Sequence, residues 1–429
     1  MQTKIPSDKL ITGMYVADID RPWIETPFWF QGFLIENDEH LMLLRQFCKF
    51  VMVDPDLSTS NAQAAMSSFG GTSGKFKEKS VPSSEAGLVG EFGEFDKHPS
   101  FVPANVKLTP FRTIVAIEAE LAPAGDVYTR TAEVLNDLFK DLASNNYLAL
   151  QDVESVIQGM VESMVRNPDA LMLVSRMRQE DKTLYGHGVN VAIYLIALGR
   201  HLSLPKEMLE HLGTLGLLLD IGKTRLPRDL MQKEGRLSSE EFETVKKHVA
   251  AGLEILINTP NLHPDILEGV AQHHERENGS GYPAGLAKGE ISLFGRMAAI
   301  ADTFSAMTNP RPYTEIVPAY QALQAMVNLG RDLYHAPIVE QFIHAIGIFP
   351  VGTMVELSTG EVAVVLSHSK VRRLKPRVMI ISDKDKKPLQ SPTTLDLLYP
   401  PASYANPPSI QSGLPTGAYG LNPQEYYLG

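Results

Sequence analysis

Over residues 109–347 apolar side chains return at helical spacing, interrupted by short polar turns rather than by strands, and this stretch restricts the fold more than any other feature. Helices that are apolar along one stripe must cover it, so a run this long predicts a helical bundle around a shared core. One helix start is explicit: Ser238 with Glu241 makes a capping box ahead of Phe242, Val245 and Val249. On either side of the run the period changes to two. Met14-Tyr15-Val16 and residues 50–53 read as strands, with a helical run over residues 39–47 between them. After Gly347, residues 354–357, the turn Ser358-Thr359-Gly360 and residues 361–365 read as a hairpin, and residues 378–381 as a third strand.

The expected fold is therefore mainly α: an all-helical bundle over residues 106–347, preceded by a small α+β N-terminal domain over 1–56 and followed by a short β-rich cap over 348–400. Residues 57–105 are rich in Ser, Gly, Ala and Lys and read as a flexible linker that cannot bury enough apolar area to order itself. The Pro-, Gly- and Tyr-rich tail over 401–429 is expected to be disordered. Trp23 and Trp29 lie in a Pro- and aromatic-rich segment and read as local core packing in preference to ligand stacking.

A formal net charge of −11 argues against a sequence-independent nucleic-acid or anionic-membrane binder, although a local basic pocket can still hold a small anion. Cys48 is the single cysteine and forms no internal disulfide, which fits a reducing cytoplasm. The N-terminus MQTKIPSDKL lacks a signal pattern and no apolar run reaches the length of a membrane span. The chain reads as soluble and cytoplasmic.

Seven of the 12 histidines fall between His187 and His274. Each alone is a weak signal; their company is stronger. Asp220 sits in the apolar stretch Leu215-Gly216-Leu217-Leu218-Leu219-Asp220-Ile221-Gly222-Lys223, where a bare carboxylate costs several kcal/mol and needs a cation. Lys223, one turn on, is either its ion-pair partner or a group facing a phosphate oxygen beside a metal held by Asp220. Asp302, at the end of Met297-Ala298-Ala299-Ile300-Ala301, is a second buried acid that a close-packed helix can point into an interface. Two such acids repel unless a cation lies between them. His273 and His274 diverge by about 100° on a helix, so both face one site only near its end, and Gly279-Ser280-Gly281-Tyr282-Pro283 supplies that end.

With these residues in place, the segment over residues 126–347 resembles the HD-GYP family, the bacterial branch of the HD metal-dependent phosphohydrolases. The matching positions, in the family's order, are His187 with Asn190 and Val191, Asp220-Ile221-Gly222-Lys223, His248 with Gly252, His273-His274-Glu275, Gly281-Tyr282-Pro283, Arg296, Asp302 and Arg311-Pro312-Tyr313. The N-terminal unit, through Ile5-Pro6, Gly13-Met14-Tyr15-Val16 and Pro27-Phe28-Trp29, resembles an uncharacterised domain often fused ahead of such modules. The resemblance implies hydrolysis of cyclic di-GMP, to pGpG or GMP, at one or two divalent ions, iron or manganese, in bacterial second-messenger signalling. It further implies that His248, His273 and His274 ligate one metal, His187 and Asp302 the other, and that Asp220 bridges them. Asp220 and Lys223 are then the catalytic pair, with Lys223 on the phosphate as a point charge. Tyr282 and Pro283 shape the substrate pocket; Arg296 and Arg311 are either phosphate contacts or structural ion pairs. A protein partner at the Gly-Tyr-Pro loop and a homodimer are compatible with the family.

The departures from the pattern matter as much. The residue before Asp220 is Leu219, where the family carries the histidine of its name, and leucine cannot ligate a metal. The loss falls on the metal of His187 and Asp302. Ser305 and Asn278 stand where the family carries acids, and Thr183, despite nearby Asp181, offers no carboxylate for a third metal. Two readings follow: a phosphodiesterase with one complete and one weakened metal position, or a catalytically weak module that serves as a cyclic di-GMP receptor or protein-interaction domain.

Overall fold

The structure, a computed structural model, describes residues 3–20, 33–35, 38–55, 58–59, 62, 99–145, 150–178, 184–233, 235, 237–309, 317–369, 374–401, 404 and 406–426. Trp23, Trp29, Asp181, Thr183 and Arg311-Pro312-Tyr313 lie outside the described residues, as does most of the expected linker. The chain divides into two compact units, residues 1–90 and 91–429.

In the first unit the expected strands and helix form. Strands β1 (Thr3–Pro6), β2 (Tyr15–Ile19), β3 (Phe33–Leu34) and β4 (Phe50–Asp54) make an antiparallel sheet in the order β1-β4-β2-β3, and helix α1 spans Asp38–Phe47. Alternation puts Ile5, Val16, Val51 and Val53 on one buried face together with Leu44 of α1 and the buried side chain of Cys48. Pro6 ends an edge strand, where a missing N–H costs little.

The second unit is a helical bundle with a sheet at its C-terminal end. Its helices are α2 (Ile117–Asn145), α3 (Leu150–Arg166), α4 (Pro168–Met177), α5 (Leu184–His201), α6 (Lys206–Leu218), α7 (Arg228–Met231), α8 (Ser239–Lys246), α9 (His248–Leu256), α10 (Pro264–Gln272), α11 (Leu293–Thr308), α12 (Ala319–Leu333) and α13 (Ala336–Ile346). Helix α5 is buried almost all round from Val189 to Leu198, because α2, α3, α4, α6, α11 and α13 all pack against it. A Cβ added to Gly216 of α6 would land on the backbone of Ala192, so α5 and α6 touch backbone to backbone. The capping box at α8 is present: Ser238 Oγ accepts from the Glu241 N–H at 3.2 Å, and Glu241 Oε2 accepts from the Ser238 N–H at 2.6 Å. An ion pair on the buried Glu120 ties α2 to α3, its carboxylate accepting from Arg166 Nε and Nη2 and from Ser163 Oγ, each at 2.8 Å.

Strands β5 (Met354–Leu357), β6 (Val362–Ser367), β7 (Arg377–Ser382), β8 (Pro388–Asp396) and β9 (Ile410–Leu414) form an antiparallel sheet ordered β8-β7-β6-β5-β9. The expected hairpin and third strand are β5, β6 and β7. The tail departs from expectation. Within the stretch expected to be disordered, residues 410–414 form β9, which pairs with β5 from Met354↔Leu414 to Leu357↔Ile410, and Leu421 is buried against Met354, Val362, Val364 and Ile381. A few well-spaced apolar residues close an otherwise open sheet edge there, a contribution that average composition hides. The end of the expected linker also packs: Val102 is buried in the bundle core, and the ring of Phe101 meets that of His335 edge-on. Among the described residues no helix is long and apolar enough to cross a membrane.

Candidate metal centre

The bundle delivers its titratable groups to one place from five elements. Helix α6 is capped at its C-terminus by Leu219, and Asp220 follows at the entrance to a 3-10 turn over Ile221–Arg225. That turn lies directly on the start of α9: a Cβ on Gly222 would fall on the His248 carbonyl oxygen and the Gly252 nitrogen. Two glycines thus let Asp220 and Lys223 meet His248. His273 closes α10 and His274 follows it, Asp302 projects from α11, and His187 from α5.

One ligand atom from each of Asp220, His248, His273 and His274 lies within 4.8 Å of the others. The His248 and His273 Nδ1 atoms each lie 2.7 Å from a carbonyl oxygen, Val245 O and Val270 O. Carbonyls only accept, so the neutral rings carry their protons on Nδ1 and present bare Nε2 lone pairs. Those two Nε2 atoms are 3.4 Å apart. Two acceptors so close need a cation between them or a proton on one. The proton is disfavoured: burial lowers the pKa of His273 to about 4, and burial lowers those of His248 and His274 as well.

Asp220 faces these imidazoles. It is 4% exposed; Lys223 Nζ donates to its Oδ2 at 2.5 Å, whereas Oδ1 is buried and accepts no hydrogen bond among the described residues, with His248 Nε2 3.4 Å from it. Burial works to raise the Asp220 pKa, but Lys223, then His248 and His187, outweigh it and hold the carboxyl well below the usual range. An ionised buried oxygen without a donor, beside neutral imidazoles with free lone pairs, is a donor set that fits a divalent cation. The ion pair and the metal reading of Asp220 are thus not exclusive, since its two oxygens divide the tasks.

His187 and Asp302 stand on the other side. His187 Nε2 and Asp302 Oδ1 share a 2.8 Å hydrogen bond, and the same nitrogen is 3.8 Å from Asp220 Oδ2. Asp302 Oδ2 lies 3.9 Å from His274 Nδ1. All six expected ligand residues therefore gather around the two acids. The position before Asp220 is filled by Leu219, fully buried in the bundle core.

Several neighbours act through roles that residue type alone did not reveal. Ser305, read as a lost acid, places its Oγ 3.0 Å from His187 Nδ1 and accepts from Asn309 Nδ2 at 2.8 Å, so it orients the ring. The buried Glu275 carboxylate accepts from the N–H groups of Ala284, Gly285 and Leu286 at 2.7, 3.2 and 3.0 Å and folds the Gly-Tyr-Pro loop back on the helix end. Gly281 is needed there, because a Cβ would lie 2.5 Å from the His274 carbonyl oxygen. Asn278, the other departure, uses its Oδ1 to cap the Ser280 N–H at 3.0 Å, a task an amide performs as well as a carboxylate. The loop sets the ring of Tyr282, joined to Pro283 by a cis peptide, over that of His274 with centroids 4.5 Å apart; burial raises the Tyr282 pKa, and Asp302 and Asp220 raise it further. Arg296 is engaged as an ion pair, donating to Glu277 Oε1 at 2.7 Å and to the Lys288 carbonyl at 2.6 Å, which of its two readings is the structural one.

Residues 171–337 match the family model of the HD domain, residues 2–153 a domain of unknown function, and residues 354–403 a KOW domain associated with the HD domain. Over 392 residues, 91% of this chain and 87% of the relative, it is 30% identical to a cyclic di-GMP phosphodiesterase of Pseudomonas aeruginosa. It is 30% identical over 210 residues, 48% of this chain and 56% of the relative, to a cyclic di-GMP phosphodiesterase of Thermotoga maritima. Over 165 residues, 38% of each chain, it is 31% identical to a 3'3'-cGAMP-specific phosphodiesterase of Vibrio cholerae. A near-full-length relative, the HD-domain match and the clustered His and Asp side chains agree: this chain belongs to the HD-GYP branch of the HD-domain metal-dependent phosphohydrolases.

Proposed function

We propose that the chain is a metal-dependent phosphodiesterase of bacterial second-messenger signalling that opens cyclic di-GMP to pGpG or onward to GMP. The observation that carries this reading is the buried, hydrogen-bond-free Oδ1 of Asp220 beside the facing Nε2 atoms of His248 and His273. His248, His273, His274 and Asp220 would hold one ion, and His187 with Asp302 and Asp220 a second, with iron or manganese suited to this mixture of imidazole and carboxylate donors. A bound divalent cation supplies Lewis-acid polarisation of a phosphoryl oxygen and lowers the pKa of a water molecule. The chain's own residues supply position. Lys223, 14% exposed at its side chain, neutralises a phosphate oxygen that approaches Asp220. Ser305 fixes the His187 ring, so that its Nε2 is directed at Asp302 and Asp220. Tyr282, stacked on the His274 ring, and Pro283 after it would shape the approach to the site.

A second reading, a weakly catalytic receptor for cyclic di-GMP, draws on Leu219, whose buried apolar side chain stands beside the bridging acid. One experiment separates the two. The protein is purified anaerobically, metal per chain is counted, and cyclic di-GMP turnover is measured for wild type and Leu219→His. Turnover by wild type with at least one ion per chain is the expected result, with more metal and faster turnover in the variant. Less than one ion and no turnover in wild type would sink the enzymatic reading, and a gain of both in Leu219→His would identify Leu219 as the defect.

A further inference from the structure

Phe242 on α8 is 45% exposed, the one exposed phenylalanine among the described residues. The capping-box helix that carries it, α8, buries none of its residues fully. Its surroundings suggest why. The ring meets that of Tyr282 edge-on, with centroids 6.2 Å apart at 84°, and Tyr282 in turn stacks on the metal-site His274 at 28°. Phe242 is therefore one aromatic ring further out from the metal cluster than Tyr282. Lys246, one turn along α8, holds its Nζ 5.1 Å from the Phe242 centroid and 5.4 Å from that of Tyr282, while its ammonium also reaches Glu243 Oε1 at 2.6 Å.

We infer that Phe242, with Tyr282 and Lys246, forms a base-binding corner in which a purine of the cyclic dinucleotide stacks on the Phe242 ring while its phosphate lies at Lys223. This rests on the phosphodiesterase reading for the identity of the ligand. The chemistry of the corner matches that ligand. Two aromatic rings set nearly perpendicular offer a face and an edge to a flat base, and such stacking tolerates any base because every base has a π-face. A cation above the rings and a second one at Asp220 match a ligand that carries two phosphates. Phe242 is a positioning residue for the base, since nothing in its chemistry touches the reacting phosphorus.

The test uses the metal-loaded full-length protein and cyclic di-GMP. Calorimetric affinity is measured for wild type, Phe242→Ala and Phe242→Trp, together with kcat and KM for each. The expected result is a loss of roughly ten- to a hundredfold in affinity for Phe242→Ala, seen in KM more than in kcat. Phe242→Trp should return affinity to within a few-fold of wild type, because a larger π-face stacks at least as well. Affinity within twofold of wild type in Phe242→Ala overturns the corner. So does a Trp variant as weak as the Ala variant, since the ring would then serve only to prop Tyr282. Wild-type protein that does not bind cyclic di-GMP overturns it as well. Binding without turnover in wild type defeats hydrolysis alone, and the three affinities still decide the corner.

Discussion

Gly222→Ala tests whether the centre depends on the contact between the 3-10 turn and α9. An alanine Cβ at this position would fall on the His248 carbonyl oxygen and the Gly252 nitrogen and come within 2.9 Å of the Gly252 Cα. All three are backbone atoms, so no side chain can swing aside. Overpacking against rigid surroundings costs about 1–3 kcal/mol and rises when backbone must shift. Relief requires the turn and α9 to part by roughly an ångström, measured against ordinary van der Waals contact. That movement separates Asp220 and Lys223 from His248. At about 3 kcal/mol the unfolding midpoint should drop by roughly 6–12 °C. An ångström of misplacement at a reacting centre should lower turnover by about a hundredfold. Two companions grade the effect: a Cβ on Gly252 would sit 3.3 Å from the Gly222 nitrogen, a mild squeeze, and one on Gly289 meets nothing within 4 Å. Thermal unfolding and metal content of Gly222→Ala, Gly252→Ala and Gly289→Ala should therefore fall in that order of severity. A Gly222→Ala protein that melts within a degree or two of wild type and keeps its metal would show that the centre does not depend on this backbone contact.

Chelation followed by dialysis should lower the unfolding midpoint, since a cation bound only by the folded state stabilises it by mass action, and His273→Ala should reproduce the loss in untreated protein. Elemental analysis of both, beside wild type, checks this; a full metal complement in His273→Ala would contradict the ligand set. The clamp between α4 and the C-terminal sheet should be pH-dependent, because His368 donates from its backbone N and from Nδ1 to Asp169 at 3.0 and 3.1 Å while Nε2 lies 3.3 Å from the Phe349 carbonyl. Burial works to lower the His368 pKa, but Asp169 outweighs it and raises the value above the ordinary one. The folded state thus holds this proton more tightly than the unfolded one; the stabilisation is complete below about pH 6.5 and is lost as pH rises through the raised folded pKa. Urea unfolding of wild type and Asp169→Asn from pH 6 to pH 9 should show a gap of about 3 kcal/mol at the acid end that narrows towards the alkaline end. No gap at pH 6 would show that His368 and Asp169 form no ion pair in the folded state.

The outline of the fold was legible because helical periodicity and strand alternation persist over whole elements, and the two buried acids were legible because Asp220 and Asp302 interrupt runs that are otherwise apolar. What escaped depends on partners distant in the chain. Ser305 reads as a lost ligand until His187, from a different helix, is placed beside it, and Glu275 has no evident task until the loop turns three N–H groups towards it. The tail strand escaped because its value lies in the β5 edge it covers. Leu219 is the position where both kinds of reading meet. Pattern alone marks it as a missing ligand, a purely local defect. In the fold it extends the core of Leu215, Leu217 and Leu218 up to the carboxylate of Asp220. A low-dielectric wall there strengthens every charge interaction of Asp220, with Lys223 now and with a cation when one is bound, while it removes a donor from the His187 side. On the proposed ligand set the three-histidine side is then the tighter cation position, and a Leu219→His variant should both add a ligand and make Asp220 less dependent on Lys223. If so, Lys223→Ala should impair metal binding more severely in the wild-type background than in Leu219→His, and equal losses in the two backgrounds would show that the wall has no electrostatic role.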